Sequence, residues 1–218
     1  MDTIQNIIFD FDGTLGDSSE DIIDSLYLAF DAVSVSLPES VSFLPTHIGP
    51  PIRDIILSLM PELDAKSVNK IAKQFRHIYD NGTFEKTQLY NGVKRILHKF
   101  REKNIQLFIA TNKPAGPTRN ILAKFDINCF VEIATPDVVE GSLLSKYNMI
   151  SYLITKWELN TAKTIMVGDS PDDVIAAHKN KILPIAVSYG YSNRDQLEKS
   201  KPCCIIDDIM QLQYITVT

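Results

Sequence analysis

The segment Asn6 to Phe11 (NIIFDF) is apolar until it runs into Asp10, Asp12 and Gly13, the pattern of a buried strand that ends at a loop. The pattern recurs along the chain. Ile105 to Ala110 (IQLFIA), Phe130 to Ala134, Thr164 to Val167 (TIMV), Pro184 to Val187 (PIAV) and Cys203 to Ile206 are further short apolar runs. Helical stretches separate them. Val93, Ile96, Leu97 and Phe100 share one helix face, and further helices are expected over about 115–125, 146–157 and 172–179. Strands alternating with helices predict a parallel sheet covered on both faces, an α/β fold.

One block breaks that rhythm. After the first strand, Ser18 or Ser19 is placed to cap a helix, and Ile22, Ile23, Leu26, Ala29, Phe30 and Val33 follow at helical spacing. Leu37 to Pro51 holds four prolines besides Gly49 and reads as a connection. Ile52 to Met60 and Ser67 to Tyr79 read as two more helices, with Pro61 breaking the chain between them. The block is expected to be an all-helical insertion spanning 16–89. The core is then built from residues 1–15 and 90–218.

Composition narrows the classes of partner. A formal net charge of -5 over 218 residues leaves no electrostatic footprint for nucleic acid or an anionic membrane. Three cysteines, two of them adjacent, suit neither a disulfide framework nor a metal-binding spacing, and a reducing cytoplasm is expected. The N-terminus reads as a strand rather than a signal peptide, and no apolar run approaches transmembrane length.

The chemistry sits at the strand ends, where open parallel sheets bind their ligands. The first strand ends in Asp10-Phe11-Asp12-Gly13-Thr14, the second in Thr111-Asn112-Lys113, and TIMV in Gly168-Asp169-Ser170-Pro171-Asp172-Asp173. Lys146 opens a helix between the last two. Aspartates brought together repel one another and need a cation, and an all-oxygen site without His or Cys suits magnesium. Asp10 and Asp169 are the expected direct ligands. Asp173 is either a third ligand or a carboxylate behind them. A carboxylate held in line with phosphorus is a competent nucleophile, a role open to Asp10, and Asp12 can exchange a proton with the leaving oxygen and with water. Gly13 would let the backbone turn past a phosphate, and Thr111 and Lys146 would hold it. Asp172 is expected to cap the following helix, and Trp157 to lie in the core.

Taken in order, DFDGTLGDS, IATNK, a downstream lysine and VGDSPDD resemble the haloacid dehalogenase superfamily, most closely its phosphoglycolate phosphatase-like members. The resemblance spans essentially the whole chain. It implies a Rossmann-like core with a helical cap, and magnesium-dependent hydrolysis of a small phosphorylated metabolite through an aspartyl-phosphate. By resemblance, Asp10 is the nucleophile and a metal ligand. Asp12 is the acid/base, with its backbone carbonyl on the metal. Thr111 and Lys146 bind phosphate, Asp169 and Asp173 bind the metal, and Gly13, Thr14, Asn112 and Lys113 line the substrate. Lys146 precedes Tyr147 where the family has proline, so it is located by its position after Gly141-Ser142. Lys181 stands where glycine is frequent.

Within the cap, Arg53 follows Gly49-Pro50-Pro51 and can hold a substrate carboxylate or second phosphate, a surface salt bridge being the alternative. His47 lies in the same loop. Asp17 and its neighbours are expected to form a hinge. Asp12 argues against carbon–halogen and phosphonate cleavage. A phosphosugar mutase, an inorganic pyrophosphatase or nucleotidase and, with less support, a non-catalytic binding protein are the competing readings.

Overall fold

A computed structural model describes residues 4–139 and 143–215 of the chain; Gly141 and Ser142 therefore lie outside the described residues. Six strands form one sheet: β1 (Asn6–Phe9), β4 (Gln106–Ala110), β5 (Phe130–Ala134), β6 (Thr164–Gly168), β7 (Leu183–Val187) and β8 (Cys204–Ile206), in the order β5-β4-β1-β6-β7-β8. Every neighbouring pair is parallel. Leaving out the two-residue strands β2 (Gly16–Asp17) and β3 (Gln88–Leu89), this is the doubly wound order 3-2-1-4-5-6.

The period of two along each strand sorts the core into two layers. Ile7, Phe9, Leu107, Ile109, Ile165 and Val167 pack on one face with α4 (Val93–Glu102) and α5 (Ala115–Lys124). Ile8, Phe108, Ala110 and Met166 point the other way, onto α6 (Lys146–Lys156) and α7 (Pro171–Lys179). The central strand is buried along its whole length, so its alternation is apolar on both sides. A short helix, α8 (Arg194–Ser200), precedes β8. The chain's last described turns pack near α4.

The helical insert contains α1 (Ser19–Ala32), α2 (Ile52–Leu59) and α3 (Ala65–Asp80). α3 buries Val68, Ile71, Ala72, Phe75 and Tyr79, one stripe at helical spacing, and packs along α1. Asp64 starts it, its side chain accepting from the backbone N–H groups of Lys66 (2.8 Å) and Ser67 (3.1 Å). The two connections to the core pair with each other, Gly16 opposite Leu89 and Asp17 opposite Gln88, as an antiparallel ribbon.

Several local expectations need correction. Ser18 precedes α1 but makes no side-chain cap bond; Asp17 Oδ1 instead accepts from Ser19 N at 3.0 Å, and the Ser18 hydroxyl is used elsewhere. α7 is capped by Ser170, not Asp172, through a reciprocal capping box with Asp173, and Asp172 is exposed. Trp157 is 38% exposed, with its ring beside Phe108 and its N–H on Glu132. Lys181 has φ 57°, a left-handed conformation that explains why a glycine suits that position.

Candidate active site

The carboxyl end of β1, between β4 and β6, is the switch point of the sheet, and the sequence-selected acids meet there. Asp10 continues β1 by one residue, its N–H bonded to Val167 O at 2.9 Å. Its Oδ1 accepts from Phe11 N at 2.7 Å. Asp169 directly follows β6, and Asp173 stands in the first turn of α7. Asp10, Asp169 and Asp173 each offer an oxygen within 4.8 Å of the others, and all three are buried. Burial, then the like charges of Asp173 and Asp12, push Asp10 up to about 6 against the pull of Lys146. Burial and the Asp10 and Asp173 charges hold Asp169 well above the ordinary carboxylate range.

Lys146 reaches into this cluster from the start of α6. Its ammonium lies 2.9 Å from Asp10 Oδ1 and 2.9 Å from Asp173 Oδ1, and it donates to Ala110 O at 3.0 Å. Burial lowers its proton affinity, but the two carboxylates more than offset this and hold it above the usual lysine value. Asp173 Oδ2 is engaged by the Ser170 hydroxyl (2.6 Å) and N–H (3.1 Å). Its buried Oδ1 has the Lys146 charge beside it but accepts no hydrogen bond among the described residues. Three converging carboxylates and an unsatisfied buried oxygen fit a hard divalent cation.

The loop after β1 is built around Asp169. Gly13 has φ 79°, and a side chain there would bring its Cβ within 2.1 Å of Asp169 Oδ2. Thr14 is fully buried, with its hydroxyl 3.5 Å from Asp169 Oδ1. Tyr191 N donates to Asp169 Oδ2 at 2.7 Å, and the Tyr191 hydroxyl donates to Asp17 Oδ1 and accepts from Ser18 N, both at 3.0 Å. One tyrosine therefore ties an acid of the site to the ribbon between core and insert. No chemical role could be argued for it from the sequence, because Asp17 and Ser18, which it ties to the site, lie more than 170 residues away.

Asp12 faces a second group. Its Oδ1 accepts from Lys113 Nζ at 2.8 Å and, in a very short contact, from the Ser18 hydroxyl. Lys113 is buried, and also donates to Ser18 Oγ (3.2 Å) and to the hydroxyl of Tyr79 on α3. Those partners account for all three ammonium donors, so Lys113, expected to face substrate, is engaged by protein groups here. Burial lowers its proton affinity, but the Asp12 charge outweighs that and raises it above the lysine norm. Thr111, buried at the end of β4, accepts from Lys113 N at 3.2 Å. Asn112 Nδ2 donates to Gly49 O of the insert at 2.8 Å.

Arg53, in the first turn of α2, is exposed and makes no hydrogen bond or ion pair among the described residues. His47 folds back on its own loop, its Nδ1 accepting from Leu44 N at 3.1 Å. An open groove lies apart from the acids. It runs along residues 88–95 beside Phe125, and none of the acids lines it. We take the switch point as the site because the reactive groups converge there.

Acids gathered around a buried lysine at the switch point of this sheet, beneath a helical insert, define a phosphatase-type enzyme. Residues 7–187 match the haloacid dehalogenase-like hydrolases, and the chain belongs to that family. It is 30% identical over 217 residues to phosphoglycolate phosphatase of Photobacterium profundum, covering 96% of this chain and 94% of that one. It is 26% identical over 215 residues to a 5'-nucleotidase of Pseudomonas aeruginosa, covering 96% and 94%. Among solved structures, protein tyrosine kinase A of Mycobacterium tuberculosis superposes with a TM-score of 0.81 at 26% identity, covering 100% of each chain. Proteins with such different names share this fold, so the substrate must be argued from the groups around the site.

Proposed function

We propose that this phosphatase hydrolyses a small phosphorylated metabolite in the cytoplasm, with magnesium, through a phosphoryl group carried on Asp10. The observation that supports it is the meeting of Asp10, Asp169, Asp173 and Lys146 at the end of β1, with Asp12 alongside. Asp10, Asp169, Asp173 and the Asp12 carbonyl would hold the cation. When bound, magnesium would neutralise charge on the phosphate oxygens.

The chain's own groups do the rest. Asp10 attacks phosphorus, and the bond to the leaving oxygen breaks as Asp12 gives that oxygen a proton. Water then attacks the phosphorus, Asp12 takes the water's proton, and the bond to Asp10 breaks. Lys146 offsets the charge of Asp10 and of the incoming phosphate, and Thr111 donates its hydroxyl to a phosphate oxygen. Gly13 and Thr14 hold the loop that lets the phosphate approach. Asn112 fixes the Gly49 loop, and Arg53 lies four residues beyond it, ready for an anionic group on the substrate. A phosphorylated carboxylate such as phosphoglycolate is the substrate class these groups favour. The Gly16–Asp17 and Gln88–Leu89 ribbon is the boundary between core and cap.

The test is phosphate release from phosphoglycolate, pyrophosphate, nucleoside monophosphates and hexose phosphates, with and without magnesium, for wild type and Asp10→Asn. Magnesium-dependent release that disappears in the variant, greatest with phosphoglycolate, is the expected result. Release that survives Asp10→Asn would sink the covalent route, and a preference for nucleotides would replace the carboxylate reading with a nucleotidase one.

A further inference from the structure

Two parts of the molecule converge on one oxygen of Asp12, and a third holds one of them in place. Ser18 comes from the end of the ribbon, Lys113 from the loop after β4, and Tyr79 from α3 of the insert. Tyr79 is held rigidly. It is 2% exposed, stacked on Phe75 (centroids 5.3 Å apart, planes 9° apart) and edge-on to Phe84 at 5.3 Å. Its ring also lies 4.7 Å from the Lys113 ammonium. Asp12 Oδ2 accepts no hydrogen bond among the described residues.

We propose that Tyr79 is a positioning residue for Asp12: from the insert, its hydroxyl holds the Lys113 ammonium on Asp12 Oδ1, so that Oδ2 alone is presented for proton transfer. The proposal rests on the phosphatase reading and adds a residue to it. Ser18 and Lys113 both hold Oδ1, and Lys113 is itself held by Ser18 and Tyr79, which leaves the carboxyl a single orientation. As the proton passes from Asp12 Oδ2 to the leaving oxygen, the carboxylate that forms is stabilised by the fixed Lys113 charge. Because Tyr79 belongs to the insert, the clamp is complete only while the insert is seated on the core. An acid that is properly aimed only beneath the seated insert works where bulk water is kept out.

Tyr79→Phe removes one hydroxyl and keeps the aromatic stack, so the fold should be retained; a thermal melt checks this. The diagnostic is leaving-group dependence. An alkyl phosphate expels an alkoxide that needs a proton, whereas p-nitrophenyl phosphate expels an anion that does not. Moreover, kcat/KM reports the step in which Asp12 acts as the acid. A well-placed general acid contributes roughly 100- to 10,000-fold. Losing one positioning contact should cost about tenfold of that on the alkyl ester, with the aryl ester within about twofold. A merely structural role would slow both esters alike, and that result would overturn the proposal, as would an unaffected alkyl ester. A wild type that hydrolyses neither ester would overturn the phosphatase reading and the clamp with it. Equal losses in an active enzyme would remove the clamp alone.

Discussion

Gly190 contributes no functional group, yet its missing side chain is what lets Asp169 and the loop after β1 approach each other. A Cβ there would lie 2.3 Å from Asp169 Cβ and 2.4 Å from Gly13 O. Backbone cannot yield as a flexible side chain can, so Gly190→Ala should destabilise the protein by about 1–3 kcal/mol in urea titrations. It should also weaken magnesium binding, because the group that moves is Asp169. An alanine variant with unchanged stability and metal affinity would show the loop to be softer than its packing implies. Lys146 makes the opposite case, a side chain whose charge is the point. Lys146→Met leaves Asp10 and Asp173 buried without their counter-charge. The expected cost in metal-free protein is about 3–5 kcal/mol, with kcat down about 100-fold or more. Magnesium should restore part of the stability and little of the rate; full recovery of rate would mean that Lys146 serves only to balance charge.

At the scale of elements, legibility tracked the range of the contacts involved. The six strands could be read from apolar runs, most plainly the four inner ones that their neighbours bury, and their ends fell within a residue or two of expectation. Asp10, Asp12 and Asp169 could be read because acids stand where such runs stop. The ribbon β2–β3 could not, since two-residue strands carry no periodicity. Nor could α8, whose single buried side chain, Leu197, leaves no apolar stripe. Tyr79 read only as the end of a helix, because its hydrogen-bond partner Lys113 is 34 residues away in the chain. Arg53 is still an expectation, and α2 is the element on which it can be tested. If that arginine meets a substrate carboxylate, Arg53→Ala should raise KM for phosphoglycolate about tenfold and leave p-nitrophenyl phosphate alone. Equal effects on both compounds, or none, would return Arg53 to the surface.

For the whole molecule, the acids proposed to hold a cation are a liability when no cation is bound. Asp10 is pushed up to about 6 by burial first and by neighbouring carboxylates next, and Asp169 is raised by the same causes. A carboxyl whose folded-state pKa exceeds its unfolded value binds more protons in the folded protein between those two values. Its contribution therefore destabilises the metal-free protein fully above the folded pKa. That penalty fades as pH falls through about 6 towards the unfolded carboxylate value. A cation relieves the same repulsion and so competes with the proton. Because it binds the folded state only, it stabilises in proportion to how far its concentration exceeds the dissociation constant. Melting temperatures measured with a chelator or with magnesium should then differ more at about pH 7.5 than at about pH 5.5. Asp10→Asn removes one of the competing protons and one of the ligands, so it should shrink the gap at the higher pH most. A magnesium shift independent of pH in the wild type would place the cation away from Asp10 and Asp169, and the catalytic reading built on them would have to be redrawn.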